Sequence, residues 1–383
     1  MNNTDATDAT DVRRSRSGAL LSLASAAFVP RRIAVFRALF LGDLLCSIPA
    51  LRALRRRFPA AEITLIGLPW ARELVQRLPY IDRFESFPGY PGITEVPYDA
   101  ARTEAFLAAS QTYGYDLAIQ LHGDGNVSNG FVADLQASIS LGYRRGVDDR
   151  LSVSLPFDAE EHEVRRWLRL IGLLGAATDD QRLECPTTSD EQDRARALLA
   201  QLPATDGPLI ALHTGAKDPA RRWPAERFAA LGDMLAQQFG ARLVLTGGDG
   251  ERATTEAVRN VMHYPALDLA GATDLGTFAA VLQQLDLLVT NDTGASHLAA
   301  ATATRSVVLF GPTRPECWAP LDRARHVVVD ALQLAGATAD PSTALQHLPL
   351  DPVFAACAAL LAAPPHQQGN DANAQAIEIG AGA

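Results

Sequence analysis

The chain of 383 residues is poor in cysteine, and its four, Cys46, Cys185, Cys317 and Cys357, stand far apart without a Cys-x-x-Cys or a Cys/His ligand spacing. A zinc cluster and a disulfide framework are therefore excluded as organising devices, and free thiols of a reducing cytoplasm are the expectation. No apolar run reaches the roughly 18 residues that a membrane-spanning helix needs. Positive charge is in deficit: 34 Lys+Arg stand against 44 Asp+Glu, a net charge of -10, the wrong sign for a protein that coats nucleic acid. Three motifs are also missing. Without Gly-x4-Gly-Lys-Ser/Thr there is no P-loop, without Gly-x-Gly-x-x-Gly the dehydrogenase reading is weak, and without Asp-x-Asp there is no obvious carboxylate pair for a divalent ion beside a diphosphate.

What is present is 48% apolar and 20% charged residue, the balance of a globular protein with more than one core. Residues 1–30 are polar and repetitive, and residues 364–383 are rich in Ala, Gln and Gly. Both read as disordered tails. The stretch from Arg13 to Ala27 loosely imitates a signal peptide, but its apolar part is short and diluted by Ser, and an extension is the preferred reading. Between the tails, short β-rich apolar runs alternate with stretches of helical period, the pattern of βα units around parallel sheets. Strands are expected at Arg32 to Arg37, Glu62 to Gly67 and Leu117 to Leu121, with weaker ones near Phe84 and Ile139. A second series falls at Leu209 to His213, Arg242 to Thr246, Asp286 to Thr290, Ser306 to Phe310 and His326 to Val329. A polar, Pro-containing stretch from Thr187 to Pro208 separates them. The expectation is two doubly wound α/β domains, 31–190 and 205–345, followed by a helix over 346–363. Ligands of such sheets bind beyond the carboxyl ends of the strands.

Several loops at those ends carry chemistry. After the first strand comes Arg37-Ala38-Leu39-Phe40-Leu41-Gly42-Asp43, then a helical apolar stripe. Asp43 at that turn either complements the helix dipole or offers a carboxylate to whatever lies over the sheet. Pro49 suggests that the regular helix starts only near Ser47. Arg52, Arg55, Arg56 and Arg57 gather on its polar side, either as a solvated face or as a patch for anionic acceptor groups or an anionic membrane surface. The loop His122-Gly123-Asp124-Gly125-Asn126 either lines a sugar pocket with directional hydrogen-bond groups or simply needs unusual backbone angles. In the second half, His213-Thr214-Gly215-Ala216-Lys217 through Arg221-Arg222-Trp223-Pro224 precedes a helix expected from Ala225 and reads as a diphosphate cradle. Glu251 follows Gly247-Gly248 and could accept from a ribose or serve the helix dipole. Asn291-Asp292-Thr293-Gly294-Ala295-Ser296-His297 ends a strand and opens an Ala-rich helix, a place for phosphate oxygens, with His297 one turn on.

Taken together, Gly42-Asp43, Arg221-Arg222-Trp223-Pro224, Gly247-Gly248-x-x-Glu251, Asp292-Thr293-Gly294-x-x-His297 and Phe310-Gly311-Pro312-Thr313 resemble the ADP-heptose:lipopolysaccharide heptosyltransferases of glycosyltransferase family 9. The resemblance covers roughly residues 31 to 330. It implies a GT-B architecture of two facing Rossmann-like domains, the acceptor on the first and the sugar nucleotide on the second. It further implies inverting transfer without a metal or other cofactor, from a nucleotide sugar such as ADP-heptose to a hydroxyl of an anionic glycolipid or other cell-envelope glycan, in the cytoplasm or at the inner membrane face. Residue by residue, Asp43 matches the family's proposed base. Thr214, Arg221, Glu251, Asp292, Thr293, Gly294 and His297 match the donor site, and Arg52, Arg55, Arg56, His122, Asp124 and Asn126 are acceptor-site candidates. Arg221 stands where relatives often carry Lys, which exchanges a point charge for a fork. The loop Ala38-Leu39-Phe40-Leu41 is more apolar than is common in relatives. Rival readings are a sugar-nucleotide epimerase or hydrolase of the same shape, which would need no acceptor, and a non-catalytic sugar-binding member of a glycan assembly complex, for which a lost base or cation would be expected.

Overall fold

The computed structural model describes residues 23–336 and 340–363; the signal-like stretch before Leu23 and the tail from Pro364 lie outside the described residues. Two six-stranded sheets, all parallel, organise the chain. The first unit runs β1 (Arg32–Phe36), α1 (Leu41–Arg57), β2 (Glu62–Gly67), α2 (Ala71–Val75), β3 (Arg83–Ser86) and α3 (Ala100–Tyr113). It continues through β4 (Leu117–Gln120), α4 (Ser128–Asp134), β5 (Ile139–Arg144), β6 (Val153–Pro156) and α5 (Glu163–Gly172). A connecting helix, α6 (Ser189–Leu199), leads into β7 (Leu209–His213), α7 (Ala225–Phe239), β8 (Arg242–Thr246), α8 (Arg252–Val261), β9 (Ala266–Asp268) and α9 (Leu275–Leu282). Then come β10 (Leu287–Asn291), α10 (Gly294–Ala301), β11 (Ser306–Phe310), α11 (Pro315–Trp318) and β12 (His326–Asp330). The short α12 (Ala331–Ala335) and α13 (Ala344–His347) precede the closing α14 (Leu350–Ala362).

Every expected strand is present to within about a residue, while β6 and β9 escaped the pattern. Both are edge strands, of four and three residues, too short for alternation to show, and Pro156 is tolerated because an edge needs fewer ladder donors. The sheet orders are β3-β2-β1-β4-β5-β6 and β12-β11-β10-β7-β8-β9. Each reverses direction once, between β1 and β4 and between β7 and β10, so that the connections diverge there and leave a crevice beyond the carboxyl ends.

Three local expectations need correction. Helix α1 begins at Leu41 and not near Ser47, with Pro49 inside it. The hydrogen bond that Pro49 cannot make to Leu45 is outweighed by burial, since Leu44, Leu45, Ile48, Leu51 and Leu54 are all sealed in the core. The polar stretch between the sheets is not a bare linker, because Thr188 and Glu191 form a capping box that starts α6. Within the N-terminal extension, residues 23–30 are folded: Phe28 is buried edge-on against Phe58, and Arg57 donates to the Ser25 carbonyl. One apolar cluster passes from α1 and α5 through Ala195 to Ala279, Leu282, Ala295 and Leu298, so the two sheets share a continuous core at their seam.

Candidate active site

The first crevice is built on Arg37, the residue after β1. Its guanidinium is fully buried and lies 4.7 Å from the Trp167 ring centroid. Its Nε and Nη2 donate to the Asp43 carbonyl at 3.1 and 2.7 Å, Nη1 donates to the Leu121 carbonyl, and Nη2 reaches Glu163 Oε1 at 2.9 Å. The Asp43 carboxylate stands 3.6 Å from Nη2 and keeps a partly open face. Burial pushes its pKa up against the pull of Arg37, with the Glu163 charge adding to the rise. No side chain caps α1 at Phe40. Asp43 sits in its first turn, where backbone N–H groups at Phe40 and Asp43 favour the ionised form, so helix-end service and an exposed carboxylate coexist in one residue. His122, after β4, stacks on Phe36 at 4.8 Å and accepts from the Ala38 N–H at 3.3 Å. Burial, aided by Arg37, pushes its pKa down to about 3, leaving a neutral ring.

The second crevice is built on β10. Asn291 donates to the Thr214 and Gly215 carbonyls at 3.0 and 3.2 Å and accepts from the Trp223 N–H at 3.1 Å, pinning the whole loop after β7. Buried Asp292 accepts through Oδ2 from Arg221 at 2.7 Å and from Thr313 at 2.6 Å. Three buried atoms of this crevice, Thr214 Oγ1, Arg221 Nε and Asp292 Oδ1, have no hydrogen-bond partner. Leaving such groups unpaired costs about 1–3 kcal/mol each, which a polar ligand would recover. Thr293 caps α10 through the Ala295 N–H, and Gly294 lets Leu41 pack against the helix start, where an added Cβ would meet Leu41 Cβ at 3.1 Å. Glu251 accepts from the Gly248 N–H at 2.7 Å and stands 3.9 Å from His213 Nε2, pressed against Gly215.

The crevices face one another across the seam. His297 lies buried against Gly42, with Cys46 Sγ at 3.4 Å from its Nδ1. Desolvation pushes its pKa down to about 4. It therefore serves as a wedge between α10 and α1, not as an open donor group. Lys217 places its ammonium 4.0 Å from the Phe40 ring centroid, and His162 Nε2 meets the Ala319 carbonyl at 2.9 Å.

Not all sequence candidates come together. Arg52, Arg55 and Arg56 occupy the far end of α1, where they bind Asp180, Glu184 and Asp82. They tie the end of α1 to neighbouring loops, because α1 runs away from the carboxyl edge of the sheet, and they do not reach the crevice. Asp124 pairs with Arg145 at 2.7 Å and accepts from the Asn126 N–H; this loop rims the first crevice. Arg37, Glu163 and Trp167 were not singled out as site candidates, and Thr313 entered only within the Phe310-Gly311-Pro312-Thr313 motif. A lone Arg closing an apolar strand was a usable signal for Arg37, whereas Glu163 lies over a hundred residues away and has none. Among the described residues, Glu73, Glu191 and Asp274 are grouped closely enough to hold a metal ion, but Arg77 and Arg194 already answer their charge. A cavity of about 670 Å³ lined by Pro208, Asp286 and Arg325 opens at the amino ends of the second sheet and takes no part in this site.

Residues 107–343 match the model of glycosyltransferase family 9 (heptosyltransferase). The chain is 27% identical over 315 residues to lipooligosaccharide heptosyltransferase 2 of Haemophilus ducreyi, covering 76% of this chain and 86% of that one. A family 9 glycosyltransferase structure from Veillonella parvula superimposes with a TM-score of 0.72 at 22% identity, over 86% of this chain and 97% of the other. The E. coli ADP-heptose LPS heptosyltransferase II structure gives 0.69 at 21% identity, over 86% and 98%. The fold is thus the GT-B arrangement, and the chain belongs to glycosyltransferase family 9, the heptosyltransferases, and is a glycosyltransferase.

Proposed function

We propose that the protein moves a heptose from ADP-heptose to a hydroxyl of a lipopolysaccharide core acceptor, with inversion and without a metal ion. The observation that carries this reading is the pairing of two crevices: a partly open carboxylate, Asp43, stands on one helix start, and Arg221 with the unpaired Thr214, Arg221 and Asp292 atoms stands on the facing loops. The acceptor hydroxyl gives its proton to Asp43, its oxygen bonds to the anomeric carbon, and the bond from that carbon to the diphosphate oxygen breaks. ADP leaves with both electrons of that bond. A carboxylate is a weak base, but desolvation raises the Asp43 pKa and hence its basicity as the bond forms. Arg221 and the amino end of α10 offset the diphosphate charge that develops. The donor assignment is supported by the name of the E. coli structural relative, which states ADP-heptose. Anionic acceptors, and the inner membrane face at which a glycolipid would be met, belong to the same proposal; among the described residues no helix is long and apolar enough to cross a membrane.

The test combines purified protein, ADP-heptose and a heptose-deficient core glycolipid, with product read by mass spectrometry and anomeric configuration by NMR. One added heptose of inverted configuration, formed equally with and without a chelator, is expected. ADP release that is independent of acceptor, retention of configuration, or loss of turnover on chelation with recovery on adding manganese or magnesium would overturn the corresponding part.

A further inference from the structure

The Arg37 guanidinium does more than close a strand. One face lies on Trp167, and its donors are divided among the Asp43 backbone carbonyl, the Leu121 carbonyl and Glu163, while its charge also faces the Asp43 carboxylate at 3.6 Å. Glu163 is itself over-held: Oε1 also accepts from Trp167 Nε1 at 3.0 Å, and Oε2 is paired with Arg166. Arg37, Glu163, Arg166 and Trp167 are sealed from solvent, where desolvated charges fix geometry strongly, while the Asp43 carboxylate keeps its partly open face. A buried ion pair is weak evidence for stability. Here it ends on the backbone of the turn that presents the carboxylate to the cleft.

We propose that Glu163, acting through Arg37, is a positioning residue for sugar transfer: the pair locks the Gly42-Asp43 turn and divides the Arg37 charge between two carboxylates, so that only part of it is directed at Asp43. The proposal rests on the reading of Asp43 as the base. The other titratable and charged groups around the turn are Cys46 on α1, His122 after β4, His162 just before α5 and Arg166 on it, and Lys217, Arg221, Asp292 and His297 across the seam. None of these bonds the Asp43 carbonyl, and Arg37 and Glu163 are the charges that act most strongly on the carboxylate. Removing the Glu163 charge should leave Arg37 to Asp43 alone and lower the Asp43 pKa. Since the base works ionised, the acidic limb of activity should then move to lower pH.

The experiment compares kcat/KM against pH for the wild type, Glu163→Gln, Arg37→Lys and Asp43→Asn, with the melting temperature and ADP affinity as controls for folding. Glu163→Gln should shift the acidic limb down by at least about half a pH unit. Arg37→Lys keeps a charge but cannot hold two points, and should lower kcat by about tenfold or more with donor KM nearly unchanged. Should Glu163→Gln fail to fold, Glu163→Asp withdraws the charge from Arg37 and should shift the limb in the same direction by less. An unmoved or upward-moved limb, with Asp43→Asn inactive, overturns the positioning proposal alone. Turnover by Asp43→Asn within a few-fold of wild type overturns the base assignment and the positioning proposal together.

Discussion

Asp43 combines two duties that a sequence cannot separate. It occupies the first turn of α1, where a carboxylate complements the dipole, and it keeps a face toward the cleft. Asn serves nearly as well at a helix start, so Asp43→Asn should retain its melting temperature and ADP affinity while losing at least about a hundredfold in kcat, the contribution expected of a general base. Single-turnover kinetics on the purified variant would check it, and turnover near that of the wild type would return Asp43 to a purely structural role. The buried histidines carry a second expectation. His122 and His297 are neutral in the folded state, with pKa values near 3 and 4, against about 6.5 when unfolded. Between those limits the unfolded chain binds more protons, so stability should be complete above about pH 6.5 and fall toward pH 4, by up to about 1.4 kcal/mol per pH unit for each histidine. Denaturant unfolding at several pH values reads this directly, and His297→Gln should flatten the slope.

At the scale of elements, α1 and α10 decide how the halves meet. Both begin at the carboxyl edges of their sheets, and they touch through small residues: Gly42 against His297, Gly294 against Leu41. An alanine at position 42 would bring its Cβ to 2.5 Å from His297 Cδ2. Gly42→Ala should therefore cost about 1–3 kcal/mol through overpacking, and lower kcat as well because Asp43 is the next residue. Adding His297→Ala should restore part of the stability; a single variant as stable as the wild type would show that the seam is looser than the packing indicates. Sequence patterning was informative about these helices and blind to their ends. The apolar spacing of Leu44, Ile48, Leu51 and Leu54 marked α1, but Pro49 misled the placement of its start, because burial on nearly every side outweighed a local backbone rule. Likewise Arg52, Arg55 and Arg56 look like a free basic patch in one dimension and prove to be paired, Arg56 from a half-exposed position, with carboxylates on loops outside α1.

For the whole molecule, the two sheets place their reversal points opposite one another, and a nucleotide held at the second should join them. ADP should raise the melting temperature more than UDP, GDP or CDP does, with about 2.7 kcal/mol of stabilisation at a hundredfold its Kd; a larger shift with another base would overturn the ADP assignment. Arg221→Ala should abolish most of that shift.

The sequence alone determined the α/β class, the two strand series, the loops that carry Asp43, Arg221 and Asp292, and the family those motifs spell, because hydrophobic period and loop chemistry are local properties. Only the tertiary structure decided that His297 is a wedge against Gly42, that the basic face of α1 is spent on structure, and that Arg37 and Glu163 converge behind Asp43. Those facts depend on which distant segments share a buried volume, and a charge with no nearby partner in sequence acquires its meaning from the group that folding brings to it.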